Sequence, residues 1–112
     1  MCLVRISLAV AAGFLSCQEA SAASPDKGKI AFERNGCWQC HGLQGQGAVT
    51  GPKLAPDPLP FEGLAGFVRS TNGPMPPYPE KILSNEDLAD IYAYLQSIPQ
   101  PPDYKSIPLL AP

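Results

Sequence analysis

Cys37-Trp38-Gln39-Cys40-His41 is the stretch on which the reading of this 112-residue chain turns. Two cysteines separated by two residues can close a disulfide, act as a redox dithiol, supply half of a zinc site or anchor a haem. A zinc site needs more Cys or His ligands, and His41 is the only histidine in the chain. A thioredoxin-like dithiol sits among alternating strands and helices, and no strand pattern surrounds this one. The residue after the second cysteine selects the last option, because C-x-x-C-H is the sequence of covalent haem attachment. Two thiols add across the porphyrin vinyls, and the short arc between them leaves His41 beneath the iron.

The N-terminus sets the compartment that this chemistry needs. Arg5 is the only charge ahead of an apolar run from Ile6 to Leu15, and Ala20-Ser21-Ala22 has the small-x-small form of a signal-peptidase site. The run is shorter than the roughly 20 residues that span a bilayer. Residues 1–22 therefore read as a cleavable export signal, 23–98 as the folded domain and 99–112 as a Pro-rich tail. Two alternatives place the protein at a membrane: a retained anchor, or lipidation of Cys17. Cleavage removes Cys2 and Cys17, which leaves Cys37 and Cys40 as the cysteines of the exported chain.

A second iron ligand follows by elimination. Electron carriers with His on one face of the haem commonly place Met on the other, and Met75 is the one methionine left after cleavage. It lies in Asn72-Gly73-Pro74-Met75-Pro76-Pro77-Tyr78-Pro79. Proline on both sides fixes φ and holds the thioether without a helix or strand. So proline-dense a run is a poor core segment, which disfavours a merely space-filling methionine.

The remaining pattern is all-α, with three or more short helices and long loops. Ser24-Pro25-Asp26 starts a first helix that Asn35-Gly36 stops. Phe61, Leu64, Ala65 and Val68 carry a second from Pro60 to Thr71. Ser84 caps a third, whose Leu88, Ile91, Tyr92 and Leu95 form one face before Pro99 ends it. Gly42, Gly45 and Gly47 form a tight loop and no phosphate site, since no Lys-Ser/Thr follows them. A net charge of −2 and a pI near 5.2 give no basic footprint for nucleic acid.

Over residues 26 to 98 the chain resembles the class I, mitochondrial-type cytochrome c family. Gly28 and Phe32 match that family's first helix, and Ile91, Tyr94 and Leu95 match its last, where the two helices cross. Gly51-Pro52 matches the segment whose proline carbonyl accepts the proximal histidine N–H, Leu54 a haem-packing leucine, and Met75-Pro76 the ligand loop. The chain departs from the pattern by one extra residue between Phe32 and Cys37 and by a more proline-rich loop. The resemblance implies a cytochrome c fold around one haem c held by two thioethers. Its binding residues would be Cys37, Cys40, His41, Pro52, Leu54 and Met75, with His41 and Met75 on the metal. A looser likeness, in the Met-Pro-x-aromatic-Pro loop and the Tyr94–Pro99 ending, is to the small cytochrome subunits of flavoprotein dehydrogenases.

The expected role is therefore transfer of single electrons in the periplasm, without bond-making catalysis of its own. Partners would be redox proteins: a dehydrogenase as donor, and a terminal oxidase or another cytochrome as acceptor. A diffusing carrier and a dedicated dehydrogenase subunit both remain open. A gas sensor or haem enzyme needs an open iron, which Met75 would close. Two further expectations concern Arg69, which would pair with a haem propionate or stay solvated, and the tail, which would wrap its own domain.

Overall fold

The computed structural model describes residues 22–110, so Arg5, the Ile6–Leu15 run and Cys17 lie outside the described residues. The first helix, α1, spans Pro25–Arg34. Ser24 Oγ accepts the Lys27 N–H at its start, Pro25 occupies a position whose N–H has no helical partner, and Asp26 faces the positive dipole end. Asn35 ends it by donating its side-chain amide to the Ala31 carbonyl, at 2.8 Å.

Directly beyond comes an element the pattern does not announce. Gly36 takes a left-handed conformation, φ +74°, and turns the chain straight into α2, Cys37–His41. The C-x-x-C-H stretch is thus itself a helical turn. Helix α3 spans Phe61–Ser70 and α4 spans Asn85–Ser97. Thr71, already extended, caps α3, so the helix falls one residue inside each end of the expected span from Pro60 to Thr71. Ser84 Oγ accepts the Asp87 N–H at the start of α4, and Ile98 turns extended ahead of Pro99. Among the described residues there is no strand, and no helix is long and apolar enough to cross a membrane.

Helices α1 and α4 make the main interhelical contact. Gly28 permits it, because a Cβ there would overlap the carbonyl oxygen of Asp90. The two backbones therefore touch, and the side chains on either side close over the crossing. Phe32 and Tyr94 meet as tilted rings with centroids 5.6 Å apart, while Ala31, Leu88, Ile91 and Leu95 are buried beside them. Asp90, buried on α4, accepts the Ser24 N–H at 2.6 Å and so fixes where α1 begins. An exposed Arg34–Asp87 pair at 2.8 Å also joins the two helices, at little energetic gain. Helix α3 leans on α4 through the edge-on rings of Phe61 and Tyr92, 5.4 Å apart.

The tail departs from expectation. A short 3-10 turn at Tyr104–Ser106 is capped by Asp103, and Tyr104, Leu109 and Leu110 are exposed. The contact tying it to the domain is Gln100 Nε2 donating to Asp57 Oδ2 at 2.7 Å. Alternation of Pro with short polar residues keeps this segment extended and prevents it from folding back over an apolar face.

Candidate haem site

Helices α1, α2, α3 and α4 and the loops between them enclose a cavity of about 780 Å³. Its volume lies within the roughly 300–1,000 Å³ of pockets that bury a whole small molecule. Cys37, Cys40, His41, Pro52, Leu54 and Met75 all line it. Residues spread over thirty-nine positions of sequence thus meet at one place.

Helix α2 supplies the first three. His41 is buried, and its Nδ1 lies 2.8 Å from the Pro52 carbonyl oxygen. A carbonyl only accepts, so Nδ1 carries the proton and the Nε2 lone pair is left for a metal. Gly51 makes this approach possible. A Cβ there would press against the Cys40 carbonyl and stand 3.0 Å from His41 Nδ1. The loop between α2 and Pro52 is drawn in by backbone bonds, from Gly47 N to the His41 carbonyl at 2.8 Å and from Leu54 N to the Gly45 carbonyl at 2.7 Å. Gly42, Gly45 and Gly47 all have positive φ, as a tight loop requires.

Cys37 sits in surroundings unlike those of a catalytic thiol. Burial pushes the Cys37 thiol up from 9.0 to about 11, only partly offset by a backbone hydrogen bond. Catalytic C-x-x-C thiols are shifted the other way, toward thiolate at neutral pH. Among the described residues, no group of three or more His, Cys, Asp or Glu side chains is disposed to hold a metal ion.

The family comparison bears on the whole arrangement. A family model described as cytochrome C oxidase, cbb3-type, subunit III matches residues 23–95. The chain belongs to that family of c-type cytochromes. No curated protein and no solved structure matches it. A cytochrome c domain binds haem c and works by haem-based electron transfer, with redox proteins as partners.

The residues of this cytochrome fit that group on their own chemistry. Haem needs an apolar slot, thiols at its edge, a nitrogen lone pair and, in many carriers, a soft sulfur donor. Phe32, Leu64, Leu83, Leu88, Ile91 and Leu95 supply apolar walls, and the two cysteines, His41 and Met75 supply the donors. When bound, haem provides the reversible one-electron couple of its iron. Phe67 is 55 % exposed, but its surface belongs to the same cavity lining. Trp38 is 40 % exposed and stands outside that lining.

Three cavity residues escape the motif reading. Leu83 and Leu88 are both about 2 % exposed and flank the Ser84 cap as the residue before it and the fourth residue of α4. Those are the positions of a hydrophobic staple, a signal available in the sequence. Tyr78 lines the cavity too, and its hydroxyl donates to the Asn35 carbonyl at 2.9 Å, bringing the Met75 loop to the α1–α2 junction. Arg69 is not simply a solvated helix residue. Its guanidinium donates to the Tyr78 carbonyl, the Leu83 carbonyl and Asn85 Oδ1, at 2.7, 2.6 and 2.8 Å.

Proposed function

We propose that the protein is a periplasmic carrier of single electrons, with one haem c joined to Cys37 and Cys40 and ligated by His41 and Met75. The observation that carries this reading is the convergence of both cysteines, the Pro52-oriented His41 and Met75 on one apolar cavity. The imidazole is held in the tautomer that leaves Nε2 for iron, and the second donor comes from a loop stiffened by proline. His/Met ligation in a buried site raises the potential of a haem above that of a His/His centre. Residues 1–22 act as the export signal, and the domain performs no bond-making step. In its arrangement of helices and ligands the chain follows the class I, monohaem pattern.

A second reading, a dedicated subunit of a periplasmic dehydrogenase, is favoured by the tail. Tyr104, Leu109 and Leu110 stand exposed beyond the domain, where a fixed partner would cover them.

The test is spectroscopic. Haem should stay with the wild-type polypeptide through denaturing extraction, one per chain. The oxidised protein should show the weak near-infrared band of thioether-to-ferric charge transfer. Met75→Ala should abolish that band, lower the potential and admit carbon monoxide to the reduced iron, while the haem stays attached. Ready binding of carbon monoxide by wild type, with no such band, would replace the carrier by a sensor or enzyme.

A further inference from the structure

The proposed iron ligand Met75 sits in a segment, residues 72–83, that has no helix or strand of its own to hold it. Proline restricts φ along this loop but supplies no hydrogen-bond donor, so its attachment to the domain must come from elsewhere. The attachment points are few and concentrated. Tyr78 N donates to the Val68 carbonyl at 2.9 Å, and the Tyr78 carbonyl accepts from Arg69 Nη1 at 2.7 Å. Both backbone groups of one loop residue are therefore bound to adjacent residues of α3. The same Nη1 reaches the Leu83 carbonyl at 2.6 Å, and Nη2 reaches Asn85 Oδ1 at 2.8 Å. Asn85 is the first residue of α4, and its own amide donates to Glu80 Oε1 at 2.8 Å.

We infer that Arg69 is the positioning residue for the axial methionine: it clasps the 72–83 loop against α3 and α4, and so keeps Met75 in the cavity. This rests on the ligand role proposed for Met75. The planar fork of a guanidinium suits the task, because it serves several acceptors at once from one rigid group. The acceptors are two backbone carbonyls that bracket the loop's C-terminal half and one side chain at the start of the next helix. Each bond is charge-assisted and partly shielded, hence stronger than a neutral pair. Lysine would satisfy fewer of the three acceptors, because its ammonium is a point donor without the fork. Arg69 touches neither His41 nor Met75 in this account; it acts through the loop.

Azide binding to the ferric holoprotein reads loop opening directly, since azide must displace the methionine. Arg69→Ala should bind azide about tenfold faster or more, the equivalent of one lost charge-assisted hydrogen bond. Arg69→Lys should fall between Arg69→Ala and wild type, and it also serves if the alanine variant fails to fold. Ala31→Gly is the control, because it loosens α1 at a residue that does not line the cavity. An equal gain in azide rate for Ala31→Gly at equal loss of stability would overturn the proposal, as would wild-type rates in both Arg69 variants. Amide hydrogen exchange separates the two hypotheses. Faster exchange at Tyr78 N–H in Arg69→Lys supports the clasp whatever the iron ligand is, and unchanged exchange there overturns it. Loss of the near-infrared band already in wild type would sink the ligand reading alone.

Discussion

The α1–α4 crossing and the Met75 loop border the same cavity and are held together by different physics. The crossing is closed by shape. Two backbones meet at Gly28, and Phe32, Leu88, Ile91, Tyr94 and Leu95 exclude water on either side. The loop is held by direction. Few of its side chains are buried, and its place depends on Arg69, on Tyr78 and on fixed proline φ angles. Shape-closed contacts fail gradually with lost volume, whereas a directional clasp fails when one donor is removed. In this cytochrome the first kind of contact carries the stability, and the second carries Met75, the proposed ligand.

The largest expected effect breaks the crossing itself. Gly28→Val puts two methyl groups where the Asp90 carbonyl lies, and backbone cannot rotate away as a side chain can. We expect a loss of about 3 kcal/mol or more, at the upper end of overpacking costs. The denaturation midpoint of the holoprotein measures it. A variant within error of wild type would mean that the helices are not in backbone contact, and the contrast would dissolve.

These two regions also differ in how legible they were. The crossing was legible through the resemblance to class I cytochromes c, which rests on Gly28, Phe32, Ile91, Tyr94 and Leu95; helical period alone gave the helices and not their meeting. The Cys37-x-x-Cys40-His41 stretch and Met75 were legible from chemistry, since few arrangements use those donors. Helix α2 was not, because five residues are too few to show a period and its geometry starts from a left-handed Gly36. Nor was the function of Arg69. An arginine near a helix end does not reveal which carbonyls a proline-rich loop will present to it several residues later. The tail misled for the opposite reason: Ile107, Leu109 and Leu110 look like a packing segment, yet prolines keep them off the domain.

A pair of tyrosines sharpens the comparison at smaller cost. Tyr94 donates its hydroxyl to the Leu43 carbonyl at 3.3 Å on the crossing side, and Tyr78 donates to the Asn35 carbonyl at 2.9 Å on the loop side. Replacing either by Phe should cost about 1 kcal/mol, a typical net hydrogen bond. The readouts should then diverge. Tyr78→Phe should speed azide binding, and Tyr94→Phe should leave it unchanged. Burial, then the Glu33 carboxylate, raises the Tyr94 phenol above its ordinary 10.0; burial does the same for Tyr78. A raised folded value favours the neutral phenol in the native state. The stability it supplies is whole below pH 10.0 and lost as pH climbs through the raised folded value. Each Phe variant should therefore lose stability less steeply than wild type between pH 10.0 and that raised value. Parallel slopes in all three proteins would show that neither phenol ionises before the fold is lost.

The smallest effect is expected where neither kind of contact operates. Residues 101–110 are exposed except at the half-buried Ile107, and none of them lines the cavity. A stop after Gln100 keeps the Gln100–Asp57 bond, the one side-chain tie between tail and domain. Removal of residues 101–112 should thus change stability by no more than about 0.5 kcal/mol, the scale of a surface substitution. The haem spectrum and the azide rate should stay at wild-type values, because Arg69, Tyr78 and Asn85 lie upstream of the cut. Affinity is a separate matter. If Leu109 and Leu110 engage a fixed partner, the shortened protein should co-purify with a dehydrogenase less well while its own melting curve is unmoved. A shortened protein that melts several degrees lower would instead place the tail on the shape-closed side of the molecule, as a packed part of the domain.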